Sequence, residues 1–424
     1  MFRPLTEAMT IRASSSFVCR WILLCLLFSG CAAQFDPKPP EQVPFRERAV
    51  TQQEEGIKVT AAVPSAAETQ DLFGVSLYRR GVQPVWIQIE NSTAEPVSFF
   101  PVGVDATYIT PIEASTIYPS RKSRREMERY FFQNGVDLVV APGETRAGFM
   151  FTHLDEGTKA FNVDIVGDGR GWSFTFFIPV PGLKLDHHEV DFAGMYAPDE
   201  LKVFEDAGDF INALQQLPCC TTDAKDTGSG DPLNLVIIGE PIDLYYAFIR
   251  AGWDETEAIS TASSFKTMIS FISGGAYRYS PVSNLYVFGR SQDVALQKIR
   301  QNINERNHLR LWLAPLRFED KPVWIGQISR DIGVRFTKKT ITTHKIDPDV
   351  DETREFLLEN LAYNQALAKF GYVAGVGAAS LAEPRGNLTG DPYFTDGQRL
   401  VLWVSSDQVD IAEIERAGWE EPQG

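Results

Sequence analysis

Histidine and cysteine are both scarce in this chain, five of each in 424 residues. So few cysteines exclude a disulfide scaffold. So few histidines leave little material for a histidine-rich metal centre. Basic residues are short as well, 40 Lys and Arg against 56 Asp and Glu, for a formal charge of −16. A body that acidic is repelled by a phosphate backbone, so no nucleic-acid partner is expected. Long apolar runs are missing too. The most apolar stretch, residues 21–28 (WILLCLLF), is far shorter than the ~20 residues of a spanning helix. The sequence has no G-x-S-x-G, H-E-x-x-H, Walker loop or dinucleotide glycine fingerprint. Enzyme activity is therefore not the first expectation, and no cofactor is implied.

What is present begins with an export signal. Arg12 and Arg20 precede the apolar run, and Ser29-Gly30-Cys31 follows it. The stretch L-F-S-G-C resembles the lipobox of bacterial lipoproteins. The resemblance implies cleavage of residues 1–30 and a lipid on Cys31, so that the protein is exported and meets a membrane through that lipid. Phe28 departs from the leucine usual three places before the cysteine. Ala32 is not the aspartate that favours inner-membrane retention, so in a diderm bacterium the periplasmic face of the outer membrane is expected. Cys19 and Cys25 leave with the signal. Only Cys219 and Cys220 then remain, and the reading preferred for them is two buried small hydrophobes, with a vicinal disulfide as the alternative.

Proline and charge dominate residues 31–56, which predicts an extended tether. From 57 to 185 short runs of period two alternate with turn clusters. Val85, Ile87 and Ile89 alternate with Trp86 and Gln88 before Glu90-Asn91-Ser92, and Val139-Val140 meets Ala141-Pro142-Gly143. That grammar predicts a β-sandwich. On architecture alone it resembles an immunoglobulin-like or transthyretin-like domain, and such domains host many functions. Residues 120–130 (SRKSRREMERY) are basic inside an acidic protein. Lys122 with Glu126 and Arg124 with Glu128 stand i,i+4, so a self-paired surface helix is expected, with contact to anionic lipid headgroups as the alternative.

Residues 186–231 read as helix and linker. An amphipathic helix is expected over 198–217, followed by the polar loop 219–231 as the domain boundary. From 232 to 424 the pattern is mixed α/β. Strands are expected at 233–238, 283–288, 308–313, 323–329 and 399–404. Helices are expected at 241–250, from about Asp351 to Lys369, and at 408–416. The recurrence of strand, helix, glycine and aromatic at both ends suggests related αβ units flanking the central strands. The fold class is thus two domains, an N-terminal β-sandwich and a C-terminal mixed α/β domain.

Four stretches carry a family resemblance. They are L-P-C-C-T-T-D-A-K-D-T-G-S-G-D-P-L-N-L-V-I-I-G from Leu217, Y-V-F-G-R-S-Q-D-V-A-L-Q-K from Tyr286, N-H-L-R-L-W from Asn307, and T-H-K-I-D-P-D-V-D-E-T-R from Thr343. Together they span roughly residues 217–419 and resemble the LssY-like C-terminal domain. The resemblance implies common ancestry and no reaction. Relatives are often joined to membrane-embedded phosphatase-like or transporter-like segments, which this sequence does not show.

Few residues offer chemistry. His187 and His188 are adjacent, so on an extended chain they point apart and seldom share an ion. Counting from Asp347, the EF-hand positions for glycine and glutamate hold Glu352 and Leu358, and that pattern fails. Asp349 with Glu352 instead has helix-capping spacing. No metal site is expected. His308 and Arg310 alternate with Leu309 and Leu311, so both project from the face opposite the leucines. Were Arg290, His344 and Asp347 to lie near them, a basic pocket could bind phosphate and a histidine could move a proton. Two readings follow. One is a lipoprotein that binds or scaffolds an envelope protein or anionic lipid headgroups. The other is a hydrolase of a phosphorylated envelope molecule, acting through the arginine and histidine group.

Overall fold

The computed structural model describes residues 35–118, 123–167, 169–182, 190–192, 194–256, 282–300, 305–335 and 343–419. Cys31, Lys122, His187 and His188 lie outside them. The chain is rich in strand and falls into two compact units. The first comprises residues 1–154 and 165–172, and the second residues 155–164 and 173–424.

In the first unit β1 (Val50–Glu54), β2 (Ile57–Ala62), β3 (Val82–Asn91) and β6 (Thr145–His153) make an antiparallel sheet in the order β1-β2-β3-β6. Short strands β4 (Val97–Phe100) and β5 (Val139–Val140) pair antiparallel in a separate sheet. Val59 and Ala61 meet Ile89 and Ile87 across the ladder, and all four are fully buried. Helix α1 (Ala66–Phe73) starts on a capping box, with Ser65 and Glu68 each accepting the other's backbone N–H, and stops at Gly74 in the left-handed region. Helices α2 (Pro111–Thr116) and α3 (Arg124–Gln133) follow. Phe73 sits between Phe131, Phe149 and Phe151 at centroid distances of 4.9, 5.1 and 5.2 Å, which gives this unit an aromatic core.

Two expectations fail here. The segment expected to be an extended tether is packed from residue 35 onward. Phe35, Val43 and Phe45 are buried in the aromatic core, and residues 50–54 form an edge strand. Proline and charge set the composition of that segment, but three spaced apolar side chains decide its placement. The expected pair between Arg124 and Glu128 also does not form. Arg124, Arg125 and Arg129 make no ion pair in the described structure.

The hairpin of β7 (Thr158–Gly167) and β8 (Arg170–Pro179) contains the division between the units. The second unit is built on a mixed sheet. Its strands are β9 (Lys202–Phe204), β12 (Leu235–Ile238), β13 (Asp254–Glu255), β16 (Val294–Ile299), β17 (Arg306–Phe318), β18 (Lys321–Arg335), β19 (Thr343–Ile346), β20 (Leu367–Ala374), β23 (Gln398–Val404) and β24 (Glu415–Arg416). The order is β13-β16-β17-β18-β12-β23-β20-β24, with β9 against β17 and β19 against β18. A smaller sheet joins β10 (Cys220–Thr222), β11 (Ser229–Pro232), β14 (Tyr286–Val287) and β15 (Arg290–Ser291), and β21 (Arg385–Gly386) pairs β22 (Pro392–Tyr393). Helices α5 (Pro241–Arg250) and α6 (Val350–Tyr363) cover one face of the main sheet through Leu244, Phe248, Leu357 and Leu361. Helix α4 (Ala207–Gln215) covers the other through Phe210 and Leu214. Strand β23 lies between these layers, with Leu400 and Leu402 toward α5 and α6 and Val401 and Trp403 toward α4.

Several predicted elements are displaced. The helix expected from residue 198 begins only after Asp206, whose carboxylate caps it, because residues 202–204 pair as a strand with β17. The loop at 219–231 folds as the β10–β11 hairpin inside the second unit, so it divides nothing. The helix from Val350 ends at Tyr363, and Lys369-Phe370-Gly371-Tyr372 belongs to a strand paired with β23. At 408–416 a short 3-10 turn and strand β24 replace the expected helix. The two recurring strands do not flank the sheet. Strands β12 and β23 are parallel neighbours at its centre. Trp419 folds back onto the domain, 5.3 Å from Trp403.

A cut in this layer is expected to be costly. Leu402→Ala removes a fully buried side chain opposite Ile237 and Phe370. It should lower the unfolding free energy by about 2–5 kcal/mol, read by chemical denaturation.

Candidate functional site

The residues with chemical potential lie on β17. Its alternation sends Leu309, Leu311 and Leu313 into the main core, and Arg306, His308, Arg310 and Trp312 to the opposite face. The register with β16 and β18 places Gln297 and Ser329 beside His308, and Gln327 beside Arg310. The result is a row of polar side chains in which Arg306, His308 and Arg310 are 4, 7 and 3% exposed.

Asp331 organises one end of the row. Its carboxylate is fully buried and accepts from His308 Nε2 at 2.7 Å and from Arg306 Nε at 3.3 Å. A carboxylate held by a guanidinium is ionised, so Nε2 carries the imidazole proton and Nδ1 is left as a lone pair. That Nδ1 is buried and has no partner. Arg306 also donates to Gln297 at 2.5 Å. Arg310 donates to Gln327 Oε1 at 2.8 Å and to the carbonyl and hydroxyl oxygens of Ser283 at 3.0 and 3.2 Å. Gln327 in turn donates to Ser329 at 2.9 Å. Burial holds the His308 imidazolium well below the usual histidine range. Asp331 opposes that shift, and Arg310 and Arg306 add to it. The group is a neutral imidazole between two guanidiniums whose donors already meet protein oxygens.

The other candidates sit elsewhere. Arg290 forks onto Asp293 at 2.8 and 2.9 Å and also donates to Tyr196 and to the Leu313 carbonyl. Asp347 accepts the Asp349 amide at 3.1 Å, and Asp349 caps α6 through the Glu352 amide. His344 lies on β19 opposite Val334. Among the described side chains, only His308 and Arg310 of the proposed group come together. Cys219 and Cys220 are joined as a vicinal disulfide. Cys219 is exposed while Cys220 is buried, so the preferred reading of two buried hydrophobes is corrected. Adjacent side chains on this hairpin cannot both face the core.

Two further buried arginines, not singled out from sequence, are held by several bonds each. Arg399 donates to the carbonyls of Leu214, Leu217, Pro218, Leu233 and Gly375, and burial pushes its pKa down to about 10. Arg354 forks onto Asp396 at 2.9 and 3.0 Å and meets Asp351 and Glu355 at 3.3 and 2.8 Å. A signal for Arg399 existed, since an arginine within the apolar run R-L-V-L-W-V has to find partners.

Two changes test the row. Asp331→Ala strips a buried carboxylate from Arg306 and His308 and should destabilise by about 3–5 kcal/mol in a denaturant titration. Acid should also weaken the fold. Below the ordinary histidine value of 6.5 the unfolded chain binds a proton that folded His308 resists, so stability falls with pH. A His308→Gln protein should lose that part of the slope.

Comparison with known proteins adds ancestry. No curated protein matches the chain. Residues 212–398 match the family model described as LssY C-terminus, from within α4 to the first residue of β23. The polar row therefore lies wholly inside the segment similar to that family, for which no activity is established.

Proposed function

We propose that the protein is a membrane-tethered cell-envelope lipoprotein with a binding or scaffolding role, exported and held through lipid on Cys31. In a diderm bacterium it would sit on the periplasmic face of the outer membrane. Its partners are an envelope protein or anionic lipid headgroups. Residues 57–185 are read as an immunoglobulin-like or transthyretin-like sandwich, with several short antiparallel strands in support. The observation that carries a binding role over catalysis is the engagement of the basic side chains. Arg290 is paired with Asp293, and Arg310 and His308 are buried with protein partners. A hydrolase of phosphorylated envelope molecules needs those donors free in an open pocket. The unpartnered Nδ1 of His308 is the one feature in favour of that second reading.

The tether has a direct test. Cys31→Ser should either release the protein from membranes or leave it unprocessed, as read by fractionation and by the precursor-to-mature size shift. Membrane association and processing that are both unchanged would contradict the lipid anchor.

A further inference from the structure

The first unit sets two exposed arginines, which make no ion pair among the described residues, beside some of its most exposed apolar side chains. On α3, Arg125, Arg129 and Phe132 stand at i, i+4 and i+7 and so share a helical face. Met127 and Phe131, on the other side, are buried. All three residues of the outer face are exposed, Phe132 at 69%. Arg125 and Arg129 have no carboxylate partner in the described structure, and Glu128 is half-buried at the edge of the face. Phe132 also lines an open groove of about 540 Å³ together with Tyr108, Ile112 and Leu138, which are exposed at 37, 43 and 50%. Solvent-exposed large hydrophobics beside unpaired guanidiniums are the composition of an interfacial face. The apolar side chains gain by leaving water, and the arginines gain by meeting phosphate.

The path of the chain supplies an independent observation. Phe35 packs edge-on against Tyr130 of α3, with ring centroids 5.7 Å apart. The Tyr130 hydroxyl donates to the carbonyls of Lys38 and Leu72 at 3.2 and 2.9 Å. The N-terminal entry of the folded unit is thus fixed to this helix. Cys31 precedes Phe35 by four residues, a reach of at most ~14 Å at ~3.5 Å per residue. A lipid on Cys31 would hold α3 about that close to the bilayer.

We propose that this face docks on an anionic bilayer surface, with Phe132, Ile112, Tyr108 and Leu138 entering the boundary between headgroups and acyl chains and Arg125 and Arg129 bound to lipid phosphates. The closeness of the bilayer rests on the lipid-anchor reading. The affinity of the face for anionic lipid does not.

The test uses the protein purified from membranes in the form the cell makes, with Phe132→Cys labelled by an environment-sensitive fluorophore. With residues 1–30 removed, Cys219 joined to Cys220 and Cys31 lipidated, one thiol takes the dye. A second label, on Cys31, would report failure of the anchor reading and leave the docking readout intact. In vesicles of phosphatidylglycerol and phosphatidylcholine the dye should shift to the blue and be quenched by brominated acyl chains. Adding Arg125→Gln and Arg129→Gln should lower the ratio of docked to free face roughly thirtyfold, as loss of two surface arginines implies. Positions 125, 129 and 132 are exposed, so the fold does not depend on them. Water-like emission in the anionic vesicles overturns the proposal. So does a blue shift that is equal in pure phosphatidylcholine and unchanged by the glutamine pair, or one that appears only when other envelope proteins are added.

Discussion

A guanidinium taken out of water must satisfy its donors on the protein, and that constraint governs the second unit. Among the described residues four arginines there are buried, Arg306, Arg310, Arg354 and Arg399. Each solves the problem differently. Arg399 uses five carbonyls and thereby ties the end of α4, the residues before the disulfide and the start of β12 to the central strand. Arg354 uses carboxylates from its own helix and from the turn that leads into β23. Arg306 and Arg310 use side chains aligned by the register of three strands. These bonds fix the sheet and the segments packed on it.

This distinguishes two fates for one residue type. The four buried arginines of the second unit are engaged by protein oxygens. On α3 of the first unit Arg125 and Arg129 are exposed and have no carboxylate, beside an exposed aromatic ring. Chemistry directed outward therefore belongs to the helix that looked like an ordinary solvated surface. The row that looked like an active site is turned inward.

How much of this was legible follows from the range of each interaction. Alternation along β17 identifies His308 and Arg310 as neighbours on one face, and the almost unbroken apolar run R-L-V-L-W-V is the pattern of a strand covered on both faces, because both patterns are local. The Asp349 cap was equally local. Asp331 was not legible as the partner of His308, since only the β17–β18 register brings them together. The start of α4 was misplaced for the same reason. Leu201 and Phe204 fit a helical stripe, but residues 202–204 gain a strand partner more than a hundred positions away. At the N-terminus prolines and charges obscured Phe35, Val43 and Phe45, whose burial turns an expected tether into part of the core. Arginine partners were missed because a count of charges does not reveal which charges meet carbonyl oxygen.

The row on β17 is closed, with its guanidiniums satisfied by protein oxygens and its histidine held to Asp331. The most direct measurement is nitrogen NMR of the His308 side chain between about pH 5 and 8. The expected result is a neutral ring protonated on Nε2 and bonded to Asp331, with no titration near the usual histidine value. A ring that titrates near 6.5, or one that carries its proton on Nδ1, would contradict it and return the row to the list of open catalytic sites.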